Sequence, residues 1–288
     1  MNPTPRLSAA SLCSISSLMA PVLSLALGLS FAVVPIRASA DDDAPKDIPT
    51  ELQAATTRAE FLGRQMYLHD RAAWLATDAM LADERMKPLQ SRLGGWVTEP
   101  TAHGVRTIFV SRDETPVRLF EIEVDEGERL SEATLESPEP LTAEHRAQLR
   151  ARETIRTRDF MQCAKQYNAV SMPSAEGLRV YAMPAFERQG LYPLGGYHLF
   201  RFEADGVTIA DSRKFTNSCI THNETASASA DGAKMVGGMY THLLDPQPTE
   251  VHVFVSLYAK LPLTIVTSPN KSMWRVHKGK IEYLYALP

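Results

Sequence analysis

The residues best suited to chemistry lie between positions 237 and 284, where His242, Asp245, Thr249 and His252 follow one another across a proline-containing turn. Imidazole nitrogens and a carboxylate at this spacing are zinc donors, and a catalytic zinc takes three protein ligands and keeps one position for water. His242, Asp245 and His252 are therefore the candidate metal ligands, with Thr249 the candidate catalytic hydroxyl. The same residues also have an ordinary reading. Asp245 precedes Pro246 as turn residues do, and histidines near strand ends are commonly just hydrogen-bonded. Elsewhere the chain has no HExxH, no GxSxG and no phosphate-binding glycine pattern. A His69–Asp70 pair, with Arg71 and Asp78 beside Trp74, looks catalytic on paper. Adjacent helical residues point about 100° apart, so neither can orient the other as base and partner, and a solvated or inter-helix polar face is expected. His198 falls in an alternating strand and reads as packed.

The elements that must position these groups are legible as an α+β fold. Residues 41–49 are charged and proline-broken, a loose tether. Thr50 opens a helix to about Met80, with Leu52, Ala55, Ala59, Leu62, Met66 and Ala73 recurring near helical spacing. A Gly94-Gly95 break precedes strands over 96–99, 105–111 and 117–125. In the last, Phe120, Ile122 and Val124 alternate with Glu121, Glu123 and Asp125, one face buried and one wet. This N-terminal helix with its antiparallel meander spans 50–126. An acidic, proline-rich loop over 126–140 marks the internal boundary, and a C-terminal α+β part fills 141–288, possible as one continuous domain with the first. Thr142 caps a second helix over 143–167. LRVYAMPA is a strand, and YHLFRFEADGVTIADSRKF is a hairpin turned at Asp205-Gly206. Pro248-Thr249 with Glu250 signals a helix start. The VHVFVSLYAKL that follows is a short helix or, given its β-branched content, a strand. LTIVTS and a hairpin on Lys278-Gly279 close the chain in a mixed or antiparallel sheet.

Tyr240-Thr241-His242, the proline loop, Pro248-Thr249, a helix, a strand and a tryptophan hairpin resemble the distal half of the JAB/JAMM (MPN) metallopeptidase-like fold. That family holds zinc with a His-x-His pair and a Ser-x-x-Asp at a helix start, and uses an upstream glutamate as general base. The resemblance implies a zinc-dependent hydrolase in which His242 is the second histidine and Thr249 stands for the serine. Tyr240 replaces the first histidine, His252 stands where the aspartate belongs, and the intervening loop is shorter. Glu187 and Glu203 are available as the glutamate, with nothing to assign either.

Arg6 before an apolar block over 18–35, and Ala38-Ser39-Ala40 after it, have the layout of a secretory signal peptide, residues 1–40, cleaved after Ala40. The block lies near the lower limit for a bilayer span and is interrupted by Pro21 and Gly28, so no stable span is expected after cleavage. Loss of Arg6 and Arg37 takes the formal charge from −4 to −6, which argues against nucleic acid as a partner. Of the three cysteines, Cys163 and Cys219 remain. In an oxidising compartment a lone pair is most simply a disulfide, here stapling the second helix to the sheet that follows. The reading is an exported periplasmic or envelope protein, most simply a non-catalytic binding or structural domain for a protein or small-molecule ligand. Its alternatives are a divergent zinc-dependent hydrolase and an inhibitor or immunity-type partner of another exported protein.

Overall fold

Helix α1 (Thr50–Ala82) is the spine of the molecule. The computed structural model describes residues 44–131, 138–224 and 237–288. The expected leader with its cleavage position at Ala40 lies outside the described residues, as do 132–137 of the acidic loop and 225–236 of the small-residue loop that follows Cys219. Thr50 is the first helical residue and Pro49 the cap, one position earlier than the sequence implies. A single turn and a short helix, α2 (Lys87–Gln90), follow.

The buried stripe of α1 is made mostly of small residues, Ala59, Gly63, Ala72, Ala73 and Ala76, so neighbouring elements approach it closely. Gly63 marks the tightest point: a Cβ there would stand 2.5 Å from Val253 Cβ and 2.6 Å from the Glu250 carbonyl. Gly63→Ala should therefore reverse the usual helix-propensity gain of about 1 kcal/mol and destabilise by about 1–3 kcal/mol through overpacking. Urea unfolding reads this directly, and a raised midpoint in the variant would mean that the two helices do not touch here.

The second half of α1 covers an antiparallel meander of β1 (Leu93–Pro100), β2 (Gly104–Ser111), β3 (Val117–Asp125) and β4 (Glu139–Pro140), in that order. Phe120, Ile122 and Val124 are buried against the helix as their alternation requires. Gly94-Gly95 does not separate elements. It lies inside β1 as a bulge, where Gly95 takes a φ of 145°. The other face of the meander, through Val97, Ile108 and Val110, packs on Leu141 and on Leu149 of α3 (Ala143–Arg156).

Helix α3 is capped by Thr142 as expected, but it ends at Arg156 rather than running to 167. Ala147, Ala151 and Ile155 form its buried stripe. The next positions on that stripe are polar (Arg158, Asp159, Gln162), so further turns would bury nothing to offset the entropy of ordering them. The tail of the expected helix instead becomes a loop and then β5 (Tyr167–Ser174). Next come β6 (Gly177–Pro184), β7 (Leu191–Pro193), β8 (His198–Phe202), β9 (Ile209–Lys214) and β10 (Thr221–Asn223). Strands β5-β6-β8-β9 make a second antiparallel sheet, with β7 and β10 paired beside it. One face of this sheet meets α3 and the other joins the main core with α1.

The chain closes with β11 (Gly238–His242), α4 (Glu250–Ala259), β12 (Leu263–Thr267), β13 (Ser272–His277) and β14 (Lys280–Ala286). β11 and β12 are parallel across α4, and the last three strands are antiparallel. The β-branched run after Thr249 is helical despite its propensity: Val251, Val253, Phe254 and Val255 are all buried, and tertiary burial overrides local preference. Cys163 and Cys219 form a disulfide with Cα atoms 5.3 Å apart. Because α3 is short, the bond ties the loop after that helix, not the helix itself, to the loop after β9. Gly196 (φ 89°) makes room, since a Cβ there would meet Cys163 Cβ at 2.6 Å.

Candidate functional site

His242 ends β11, Asp245 lies in the turn, and Thr249 and His252 open α4, so the crossover brings all of them to one place. His242 Nε2 lies 2.8 Å from Asp245 Oδ2, and the Arg213 guanidinium donates to the same oxygen at 2.9 Å. Burial alone would raise the Asp245 carboxyl, but the His242 hydrogen bond and the Arg213 charge hold it below the usual range. The Thr249 amide donates to His252 Nδ1 at 3.0 Å, a capping-box contact with histidine in the place usually held by Glu or Gln. The His242 and His252 rings meet edge to face, centroids 4.8 Å apart. Burial, reinforced by His242, pushes His252 down to about 3, so it is neutral.

The expected zinc ligands thus converge, but their donors are spent. A zinc-bound imidazole coordinates through one nitrogen and donates an N–H from the other. His252 Nδ1 accepts the Thr249 amide, which puts the proton on Nε2, the nitrogen that would have to bind the metal. Arg213 already supplies a fixed positive charge at the Asp245 oxygen. Among the described residues, no group of three or more His, Cys, Asp or Glu is arranged to hold a metal ion. As placed here, His242, Asp245 and His252 do not fit zinc. Glu187 and Glu203 are both exposed, outside the buried chain of groups.

A polar cleft of about 790 Å³ opens beside this network, and Arg213 and Thr249 belong to both. Its wall carries Arg58 of α1, Arg179 of β6, Arg201 of β8 and Arg213 of β9. The register sets Arg179 directly opposite Arg201, while Arg213 sits opposite Leu199. Like charges facing each other across an antiparallel pair are destabilising. Compensation is partial: Arg201 pairs with Asp211, Arg213 pairs with Asp245 and stacks 4.4 Å over Phe215, and Arg179 comes no nearer than 3.9 Å to the exposed Glu176. Arg58 has no ion pair among the described residues. Glu250 also lines the cleft, and its carboxylate accepts from the buried Tyr181 hydroxyl at 3.1 Å. Sequence reasoning missed these arginines. The strand positions of Arg179, Arg201 and Arg213 were visible, but the cross-strand register that gathers them beside Arg58 of α1 was not.

The His69–Asp70 pair is not on a solvated face. His69 is buried with Nδ1 2.8 Å from Thr98 Oγ1, and burial pushes it down to about 4. Asp70 borders a cavity of about 270 Å³ shared with Trp96, Phe186 and Tyr258. Burial pushes its carboxyl up to about 6, against the lowering effects of Asn168 and Arg71. His198 packs as expected, Nε2 3.0 Å from the Met161 carbonyl. Compared with family models, curated proteins and solved structures, the chain matches none.

Proposed function

We propose that the chain works outside the cytoplasm as a non-catalytic binding domain that recognises a carboxylate-bearing partner through the arginine cleft. The observation carrying this reading is the apposition of Arg179 and Arg201, flanked by Arg58 and Arg213, around an open 790 Å³ cleft. A sheet that sets guanidinium groups against each other gives up stability that an acidic ligand restores, and such exchanges of stability for recognition are common at binding sites. The disulfide suits an oxidising compartment, and export predicts a mature protein beginning at Asp41 by intact mass.

Citrate is the probe. At fixed ionic strength it should raise the melting temperature of the wild type. Arg179→Gln should melt about 2 °C higher than wild type without citrate and lose the response to it. Equal stabilisation of both proteins by citrate, or none beyond that given by chloride, would overturn the assignment.

A second reading, a divergent zinc-dependent hydrolase, rests only on the 4.8 Å approach of the His242 and His252 rings, whose present hydrogen bonds do not fit zinc. It requires His252 to leave its cap and exchange its tautomer. Stoichiometric zinc in a chelator-free preparation, lost in His242→Ala and in His252→Ala, would establish it in place of the first.

A further inference from the structure

A second cavity, of about 710 Å³, lies on the far side of the second sheet, between the bulged start of β1, helix α3 and the loop that leads into β5. Its floor is apolar: Val110, Leu149, Ile155, Phe160, Tyr167 and Ala182. Its charge is one-sided. Asp113 is taken by Arg92 at 2.8 Å and Glu153 by Arg156 at 2.6 Å. The Arg112 guanidinium donates to the Leu93 carbonyl, and neither Arg112 nor Lys165 has an ion pair among the described residues.

Arg152 is the unusual member. Its guanidinium stacks 4.1 Å over the Trp96 ring and donates to the carbonyls of Trp96 and Ala169, while its buried Nε has no partner. No carboxylate pairs with it among the described residues. Arg152 is half-buried in the cavity wall. A guanidinium with little water around it and no counter-ion is costly, and burial pushes Arg152 down to about 10, against the charged form. Backbone carbonyls hold the side chain in place but do not neutralise it. Gly95 of the bulge borders the cavity, with nothing within 4 Å of where its Cβ would be.

We propose that this cavity binds an amphipathic anion, an acyl chain ended by one carboxylate or phosphate, with the anion on Arg152 and the chain on the apolar floor. The volume lies in the range of small-molecule sites, and an apolar lining with few convergent charges is their usual chemistry. The site is independent of the arginine cleft, so either assignment can fail alone.

Titration calorimetry of the full mature protein tests it, with dodecanoate and dodecyl phosphate as probes and dodecanol and acetate as controls. Both anions should bind, and each control should bind about tenfold more weakly or not at all. The stronger of the two anions distinguishes a free fatty acid from a lysophospholipid-like headgroup. Arg152→Met should lose about tenfold or more in affinity for the anions while melting no lower than wild type, since an uncompensated charge has been removed. A purely structural Arg152 would instead melt lower and bind unchanged. If Arg152→Met fails to fold, the wild-type comparison decides, because dodecanoate must outbind dodecanol, which lacks only the charge. Arg179→Gln should leave dodecanoate binding untouched. Dodecanol binding as tightly as dodecanoate, or no binding of either anion to wild type, would also overturn it.

Discussion

Replacing Cys163 and Cys219 together by alanine should lower the unfolding free energy by about 4 kcal/mol, the chain-entropy value for a closed loop of this length. For a domain of this size that is a fall of about 10 °C in melting temperature. The disulfide joins two loops rather than two regular elements, so its loss leaves the sheets' own cores intact. Local consequences should concentrate in the loop after α3. There the Cys163 amide donates to the Tyr167 hydroxyl at 2.7 Å, and Tyr167 in turn donates to the Gly196 carbonyl. Hydrogen exchange should therefore speed most between 157 and 167, and least in the hairpin of β13 and β14. Uniform acceleration across the chain, or a melting temperature within 2 °C of wild type, would contradict a fold cross-linked at this point.

The second large effect is a loss of stability in mild acid. His69 and His252 are buried neutral, with folded values of about 4 and about 3. A group whose folded value lies below its unfolded value of about 6.5 contributes fully above 6.5 and loses that contribution as pH falls toward the folded value. At about 1.4 kcal/mol per unit, the two together lose on the order of 4 kcal/mol between pH 7 and pH 5. Asp70 runs the other way. Its folded value of about 6 exceeds that of an unfolded aspartate, so its ionised form is disfavoured above 6. Protonation on acidification returns on the order of 1 kcal/mol. Urea unfolding at pH 7 and pH 5 should show the net loss. Asp70→Asn should steepen it. His252→Gln should flatten it, because Gln retains the cap on Thr249 but cannot take the proton. Stability that does not change between the two pH values would mean that these imidazoles are not buried neutral.

The pattern of residues was enough for the periodic parts. The alternation of Phe120, Ile122 and Val124 with acids, the cap at Thr142, and the turns at Asp205-Gly206 and Lys278-Gly279 each encode their element locally, and the α+β architecture follows from them. The cysteine pair was legible as well, because a chain read as exported with two remaining thiols leaves few partners.

Three things were decided only by the folded chain. The first is where α3 stops, which depends on what its next stripe would have packed against. The second is the role of the C-terminal histidines: spacing made them ligands on paper, and the fold committed His252 to a helix cap and His242 to the Asp245–Arg213 chain. The third is the gathering of arginines, distant in sequence, at one cleft and beside one apolar cavity. Local spacing fixes which way a side chain leaves its own strand or helix, whereas the groups it meets are set by register and crossover, which no short window of sequence contains.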